Sequence, residues 1–234
     1  MKNVIKLTVS AAAILGGAFV AAPAMAQGVP TVSGNVAVVS DYRFRGVTLS
    51  DNSAALQGGV DLGWESGFYV GAWGSSIDAL TSGNEFELDL YAGFGNELGA
   101  SGLSYDVGVL LYTYPGYEAD NYGDSIVPEI YGSLSGAFNT VGWTVGAAYA
   151  PDTDNIADDN IYLFTDLEVP FGESPFFATG HLGFEDGAWG DDKFDWGLGV
   201  GASAIGLDFG LSYVGFDSDA GNDDGIVLSV GSSW

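Results

Sequence analysis

From about residue 31 onward, apolar or aromatic side chains alternate with Gly, Ser, Asp or Glu, one residue at a time. A repeat of two residues places successive side chains on opposite faces of an extended strand. Around residue 105, for example, Leu103, Tyr105 and Val107 alternate with Ser104 and Asp106. Each such segment therefore has one apolar and one polar face, and the chain is predicted to be all-β.

The alternating segments are long, mostly about 10 to 14 residues, which exceeds a typical strand of a soluble domain. This length suits a tilted strand that crosses a bilayer. We predict about twelve strands, at residues 32–47, 54–65, 67–77, 85–95, 102–114, 125–138, 141–151, 160–170, 175–185, 193–202, 204–216 and 225–234.

The connections between these segments alternate in length. Short ones lie at residues 65–67, 96–101, 139–140, 171–174 and near 203, and longer, mostly acidic ones at 48–53, 78–84, 115–124, 152–159, 186–192 and 217–224. Short turns on one rim and longer loops on the other are typical of outer-membrane barrels. The prediction is a transmembrane antiparallel up-and-down β-barrel with short periplasmic turns and longer acidic extracellular loops.

A soluble β-sandwich with one wet face is the alternative architecture, because its strands also alternate. Its polar face should be rich in Lys, Thr and Arg, whereas here that face carries Gly, Ser and acids. Mean hydropathy is positive, at +0.21. In lipid no strand edge can stay open, so the predicted sheet must close on itself.

Both ends of the chain carry export signals. Lys2 and Lys6 precede an apolar run at 7–20 and a small-residue cleavage site at 24–26, which predicts a cleaved signal peptide over 1–26. A retained anchor helix is the alternative. The single barrel domain would then span 27–234. The last strand ends on Trp234, which resembles the terminal aromatic signature that the outer-membrane assembly machinery reads.

The net charge of the chain limits the classes of molecule that it can bind. Without Lys2 and Lys6, only Arg43, Arg45 and Lys193 face 31 acidic residues. This excess argues against nucleic acid and favours cations as counter-ions or cargo. Cysteine is absent, which excludes a disulfide scaffold.

The segment at 40–46 carries both arginines, and its alternation predicts that Tyr42 and Phe44 lie on the lipid face. Its charged side chains and those on the polar faces of other strands would line the lumen. The candidate lumen or constriction residues are Asp41, Arg43, Arg45, Gln57, Asp61, Glu87, Asp89, Asp106, Glu129, Asp166, Glu168, His181, Asp195 and Asp208.

Two interpretations of the arginines remain open. Arginines on one wall and carboxylates on the others would create a transverse field, as in a pore constriction. Alternatively, the guanidinium groups neutralise neighbouring acids and plug the lumen. Inward-facing glycines favour a narrow water path in a barrel of this width.

Two further sites are weaker candidates. His181 is the only histidine, and a catalytic role would require a nearby serine at the lipid-facing rim, which the spacing does not mark. The loop residues Asp152, Asp154, Asp217, Asp219 and Asp223 are candidate ligands for Ca²⁺ or Mg²⁺, although neither loop follows the EF-hand pattern. A hydrated acidic rim, bridged by divalent cations to lipopolysaccharide, is the alternative.

Three stretches resemble the TorF-like porin family of proteobacterial outer-membrane proteins. They are SDYRFRG at 40–46, QGGVD at 57–61 and GFYVGAW at 67–73. The element at 149–152 is similar to the family's aromatic-Ser-Pro-Asp element, with Ala150 in place of Ser, and Ser53-Ala54-Ala55 stands where a Pro-Ala pair is expected. The resemblance implies a barrel in the bacterial outer membrane and a porin function.

We therefore expect a passive channel for small polar solutes, cationic or neutral, with no enzymatic activity and no cofactor. The expected partners are the lipid bilayer, lipopolysaccharide, the assembly machinery and small solutes. The alternative is a non-conducting barrel with a structural or surface-binding role.

Overall fold

The computed structural model describes residues 28–78, 85–115, 126–154, 156 and 158–234. The predicted signal peptide lies outside these ranges, as do nearly all of the predicted loops at 78–84 and 115–124. Within the described part, no helix has the length and apolar character needed to cross a membrane. The strands there are β1 Thr31–Val39, β2 Arg43–Phe44, β3 Val47–Thr48, β4 Ala55–Gly63, β5 Phe68–Ser76, β6 Phe86–Glu97, β7 Ser104–Thr113, β8 Ile126–Phe138, β9 Val141–Ala150, β10 Asn160–Pro170, β11 Phe176–Gly187, β12 Gly190–Ala204, β13 Leu207–Ser218 and β14 Gly221–Ser233.

Twelve of these strands form one closed antiparallel barrel, which confirms the predicted fold class. Each strand from β4 to β13 pairs with the next strand in sequence, and β1 pairs with both β4 and β14. Val38, for instance, lies between Leu56 and Val230. The backbone groups of Gly34 and Trp234 add two hydrogen bonds of 3.1 and 3.0 Å at the closing seam. Closure leaves no free edge among the twelve strands, as a lipid environment requires.

The barrel has two unlike rims. We call one the turn rim; it carries Thr31, Trp234 and the connections at 64–67, 98–103, 139–140, 171–175 and 205–206. The opposite one is the loop rim. There, the predicted long loops at 186–192 and 217–224 are wrong, because β11 and β12 are joined by residues 188–189 alone, and β13 and β14 by 219–220. The acidic side chains of these stretches lie beyond the apolar band and remain in water. The strands can therefore stay paired through the acidic residues.

The outer surface is apolar, as the alternation predicted. Leu163, Leu182 and Leu198 are 46%, 63% and 67% exposed on three successive strands. Such side chains gain no burial from the protein itself, and they suit the hydrocarbon that surrounds a transmembrane barrel. The opposite faces of the same strands carry the buried Tyr162, His181 and Asp195.

Inward glycines make room for tyrosine rings and leave less open space than the sequence suggested. Gly93 and Gly108 lie opposite each other on β6 and β7. A Cβ at Gly93 would overlap the ring of Tyr69, and one at Gly108 would overlap Tyr131. The space directly over these two glycines is therefore occupied by aromatic side chains and not by water.

The predicted first strand, 32–47, is too long. β1 ends at Val39, and residues 40–54 turn into the lumen. Ser40 makes the last backbone hydrogen bond to β14, in which its N–H donates to the Leu228 carbonyl at 2.8 Å. The Asp41 carboxylate then accepts hydrogen bonds from Thr48 at 2.6 Å and Ser50 at 3.1 Å. These local bonds replace the ladder bonds that a continued strand would make.

Candidate functional site

Residues 40–54, here called the inner segment, enter the loop-rim half of the lumen, where residues 40–50 are buried or half-buried and 51–54 are exposed. β2 and β3 form a short hairpin whose two-residue tip is Arg45-Gly46. The φ angles there are 47° and 85°, as a type I′ turn requires. Tyr42 and Phe44, predicted to face lipid, lie inside the barrel instead. The alternation at 40–46 belongs to this hairpin and not to a spanning strand.

The hairpin tip is tightly packed against the barrel wall. A Cβ at Gly46 would lie 2.7 Å from the Gly215 carbonyl oxygen and 2.8 Å from Cβ of Phe216. The backbone of Arg45 adopts a left-handed conformation that is uncommon for residues other than Gly, Asn or Asp. The surrounding contacts of its side chain hold it in this conformation.

Arg45 reaches into the lumen and bridges β8 and β11, two strands that β9 and β10 separate in the barrel. Its Nη2 lies 2.5 Å from Oε2 of Glu129 on β8, and its Nη1 lies 2.6 Å from Oε1 of Glu185 on β11. All three side chains are at most 5% exposed. We call these three residues the Arg45 clamp. Of them, Arg45 and Glu129 were predicted as lumen residues, and Glu185 was missed.

Further polar groups orient the two carboxylates of the clamp. Tyr112 donates to Oε1 of Glu129 at 3.0 Å, and Asn160 donates to Oε1 of Glu185 at 3.0 Å. Lys193 forms a buried ion pair with the other oxygen of Glu185. The alternation along β11 could have identified Glu185, because Glu185 follows His181 by four residues and therefore lies on the same, inward face of the strand.

Aromatic rings enclose the guanidinium group. Its carbon lies 4.2 Å from the ring centroid of Tyr162, 4.7 Å from that of Phe44 and 5.3 Å from that of Trp189. Burial tends to lower the pKa of Arg45, but the carboxylates, first that of Glu129, raise it above its ordinary value. Arg45 is therefore charged, and its charge is balanced within the lumen.

Arg43 is the second fixed cation of the inner segment. Its Nε lies 2.6 Å from Oδ2 of Asp41, and its Nη2 lies 3.1 Å from Asp223 on β14. Nη1 also donates to the Gly46 carbonyl at 3.1 Å, and Nη2 to Asn52 at 3.2 Å. The arginine therefore ties the inner segment to itself and to the wall.

His181 lies between two predicted lumen residues. Its Nδ1 is 2.6 Å from Asp166, and its Nε2 is 2.9 Å from Asp195 and 2.8 Å from the hydroxyl of Tyr162. Both ring nitrogens therefore have a carboxylate within hydrogen-bond distance. Within the described ranges, its hydrogen-bond partners are these carboxylates and a phenol, and none is a serine that could act as a nucleophile.

The other predicted acids are spread along the lumen. Towards the turn rim, Asp61 accepts from Tyr91 at 2.5 Å and Asp106 accepts from Tyr69 at 2.8 Å. Asp208 accepts from Ser203 at 2.5 Å, next to that rim. These aspartates, with Glu168 on β10, are only partly buried, so water reaches them.

Three predicted residues lie deeper, on the wall near the inner segment. Gln57, Glu87 and Asp89 are 2%, 1% and 7% exposed. Tyr42 of the inner segment donates to Oε1 of Glu87 at 3.1 Å.

The rim aspartates do not form a metal centre in the described ranges. Asp152, Asp154, Asp217 and Asp219 are exposed. Asp223 pairs with Arg43, as described above. Among the described residues, no group of three or more Asp, Glu or His side chains has the geometry to hold a metal ion.

These features define a transmembrane antiparallel β-barrel with an acidic lumen whose loop-rim half is occupied by an ion-paired inner segment. The chain belongs to the Gcw_chp family, described as a bacterial protein of unknown function, whose model matches residues 23–228. No curated protein matches the chain.

Two solved porin structures share the fold. The KdgM porin is 8% identical with a TM-score of 0.56, over 86% of this chain and 98% of that one. The NanC porin is 10% identical with a TM-score of 0.54, over 87% of this chain and 99% of that one. At these identities the likeness is one of fold.

Proposed function

We propose that this protein is an outer-membrane channel of the porin type, and that the described conformation is its closed state. The observation that carries the proposal is the Arg45 clamp, which holds the inner segment across the lumen by noncovalent contacts alone. Such ion pairs can break and re-form, and the chain connects the inner segment to the barrel only through β1 and β4. Movement of the inner segment towards the loop rim would open a path.

The proposed solutes are small, polar and cationic or neutral. The turn-rim half of the lumen carries Asp61, Asp106, Glu168 and Asp208, which are accessible to water. In the described ranges all three basic side chains are already ion-paired. A lumen with free acids and neutralised bases attracts cations and repels anions.

The location follows from the same proposal. Residues 1–26 would direct export, the bilayer would cover the apolar belt, and the assembly machinery would engage the strand that ends on Trp234. Divalent cations would connect the acidic loop rim to lipopolysaccharide. We also propose that the chain is a member of the TorF-like porins.

A non-conducting barrel with a structural or surface-binding role is the second candidate. The observation in its favour is the number of contacts that fix Arg45, which include two ion pairs and three aromatic rings. Under this alternative the clamp never opens, and its purpose is to stabilise the interior.

Conductance in planar bilayers distinguishes the two candidates. We expect rare or small current steps from the wild-type protein, and larger, cation-selective steps from Arg45→Ala, since that variant loses both ion pairs across the lumen. The matched control is Arg43→Ala, which removes the ion pairs with Asp41 and with the exposed side chain of Asp223 but leaves the Arg45 clamp intact, and its current steps should therefore be smaller than those of Arg45→Ala.

Insertion has to be verified for each protein, for example by protease protection in the same bilayers. Silence from inserted wild type and inserted Arg45→Ala would refute the channel and favour the structural barrel. Anion-selective steps from Arg45→Ala would refute the assigned selectivity and leave the channel itself supported.

A further inference from the structure

A row of oxygen-bearing side chains crosses three strands beside the inner segment. Gln57 on β4 lies opposite Ser75 on β5, and Ser75 lies opposite Glu87 on β6. Asp89 follows Glu87 on the same face, about 7 Å further along the strand. Gln57 donates its amide N–H to the Ser75 hydroxyl at 3.3 Å, which turns the amide oxygen to the free side.

Three of these groups point buried oxygens at no described partner. The atoms are Oε1 of Gln57, Oε2 of Glu87 and Oδ1 of Asp89, and each side chain is more than nine-tenths buried. Buried acceptors are almost always satisfied, and two neighbouring carboxylates without a counter-charge repel each other. The row therefore needs a positive partner.

No basic side chain of the described residues is available to neutralise these carboxylates. Arg43, Arg45 and Lys193 are ion-paired elsewhere, with Asp41, Glu129 and Glu185 among their partners. His181 lies between Asp166 and Asp195, and the two lysines that remain in the sequence, Lys2 and Lys6, precede the barrel domain. The positive charge must come from outside the chain, as a metal ion or as protons.

The chemistry of the donors selects the ion. All of them are oxygens, which hard cations prefer and which suit Ca²⁺ and Mg²⁺ better than Zn²⁺ or Cu²⁺. The carboxylates of Glu87 and Asp89 together carry two negative charges, which one divalent cation neutralises. Mg²⁺ keeps several waters in a strict octahedron, whereas Ca²⁺ accepts irregular sets of amide, hydroxyl and carboxylate oxygens in a closed space.

We propose that Gln57, Ser75, Glu87 and Asp89 form a Ca²⁺ site on the lumen wall, next to the inner segment. Tyr42 connects the site to that segment, because its hydroxyl donates to the second oxygen of Glu87. An ion bound here fixes Glu87 in the position that Tyr42 recognises, so Ca²⁺ stabilises the closed lumen. The site exists whether or not the barrel conducts.

The test is a Ca²⁺ titration by calorimetry of the purified, refolded barrel after treatment with a chelator. We expect one buried site in the wild type and a Kd at least about 10-fold weaker in Glu87→Gln, since a ligand charge is lost. The matched control is the double variant Asp152→Asn with Asp154→Asn, which removes the same kind of charge from the exposed rim and should keep the site.

A luminescence measurement covers the case in which Glu87→Gln does not refold. Tb³⁺ replaces Ca²⁺ and emits when a nearby indole transfers energy to it; Trp73 lies directly opposite Asp89 on the neighbouring strand. With selective excitation of tryptophan, Trp73→Phe should lose most of the Tb³⁺ emission, and added Ca²⁺ should quench it in the wild type.

Two results would contradict the proposed Ca²⁺ site. Absence of Ca²⁺ heat in the wild type would overturn the site and assign the compensating charge to protons shared by the two carboxyl groups. Binding that survives Glu87→Gln, disappears in the rim variant, or gives Tb³⁺ emission independent of Trp73 would place the ion on the acidic rim and overturn the proposal.

Discussion

Replacement of Arg45 by alanine should strongly destabilise the barrel. The side chain makes ion pairs of 2.5 and 2.6 Å with Glu129 and Glu185, and all three groups are buried. Removal of one partner from a buried pair typically costs about 3–5 kcal/mol, because the other charge is left uncompensated. Lys193 still neutralises Glu185, so the unpaired charge in the variant is mainly that of Glu129.

The lost contacts with aromatic rings add to this cost. A desolvated guanidinium over an aromatic ring contributes up to about 2 kcal/mol, and the Tyr162 centroid is 4.2 Å from the Arg45 carbon. Because Tyr112 continues to donate to Glu129, part of the penalty is relieved. We therefore expect a total loss of about 3–5 kcal/mol in the free energy of unfolding.

Equilibrium unfolding in urea, followed by tryptophan fluorescence in detergent, measures the effect. Two companion variants identify its cause. Arg45→Lys keeps the charge but loses the two-pronged geometry, so it should lie between wild type and Arg45→Ala. Adding Glu129→Gln to Arg45→Ala removes the unpaired charge and should restore at least about 1 kcal/mol.

A loss below about 1 kcal/mol for Arg45→Ala would refute the reasoning, since that is the range of solvent-exposed ion pairs. An unchanged stability on adding Glu129→Gln would show that packing, and not the buried charge, accounts for the loss.

Three further substitutions test other parts of the structure by the same unfolding assay. Gly46→Ala should cost at least about 1 kcal/mol through its positive φ and the clash with the wall, and a wild-type stability would mean that the hairpin does not pack there. His181→Leu should cost about 3–5 kcal/mol because Asp166 and Asp195 lose their shared partner, whereas a loss below about 1 kcal/mol would argue against the buried pair. Leu163→Arg, with Leu163→Ala as its control, should cost about 2–4 kcal/mol in a bilayer if it lies near the midplane, and equal losses for the two variants would contradict a lipid-facing position.

The parity of side chains was readable from the sequence wherever a strand was regular. Leu163 and Leu167 face outward on β10, and Asp166 faces the lumen, as the alternation predicted. The alternation failed at 40–46, because a hairpin has the same period of two as a spanning strand. The Arg45-Gly46 tip was its only local mark, and arginine is an unusual residue at the first position of such a turn.

Pairings across the lumen could not be predicted in the same way. Arg45 and Glu185 are separated by 140 residues, and their contact depends on how the inner segment enters the barrel. Similarly, the tight turn at Ala188-Trp189 was expected to be a long loop, since a run of acids around it indicates hydration but not whether strand pairing continues.

The sequence by itself determined that this protein is a closed, transmembrane antiparallel barrel of twelve strands with apolar residues outside and acids inside. The two-residue period and the strand length carry that information, because the position of a residue along an extended strand determines which face of the sheet its side chain occupies. Only the tertiary structure decided that residues 40–54 fold back into the lumen and that Arg45 joins Glu129 to Glu185. The physical reason is that closing the barrel brings distant strands around one low-dielectric space, in which each buried charge must find a partner.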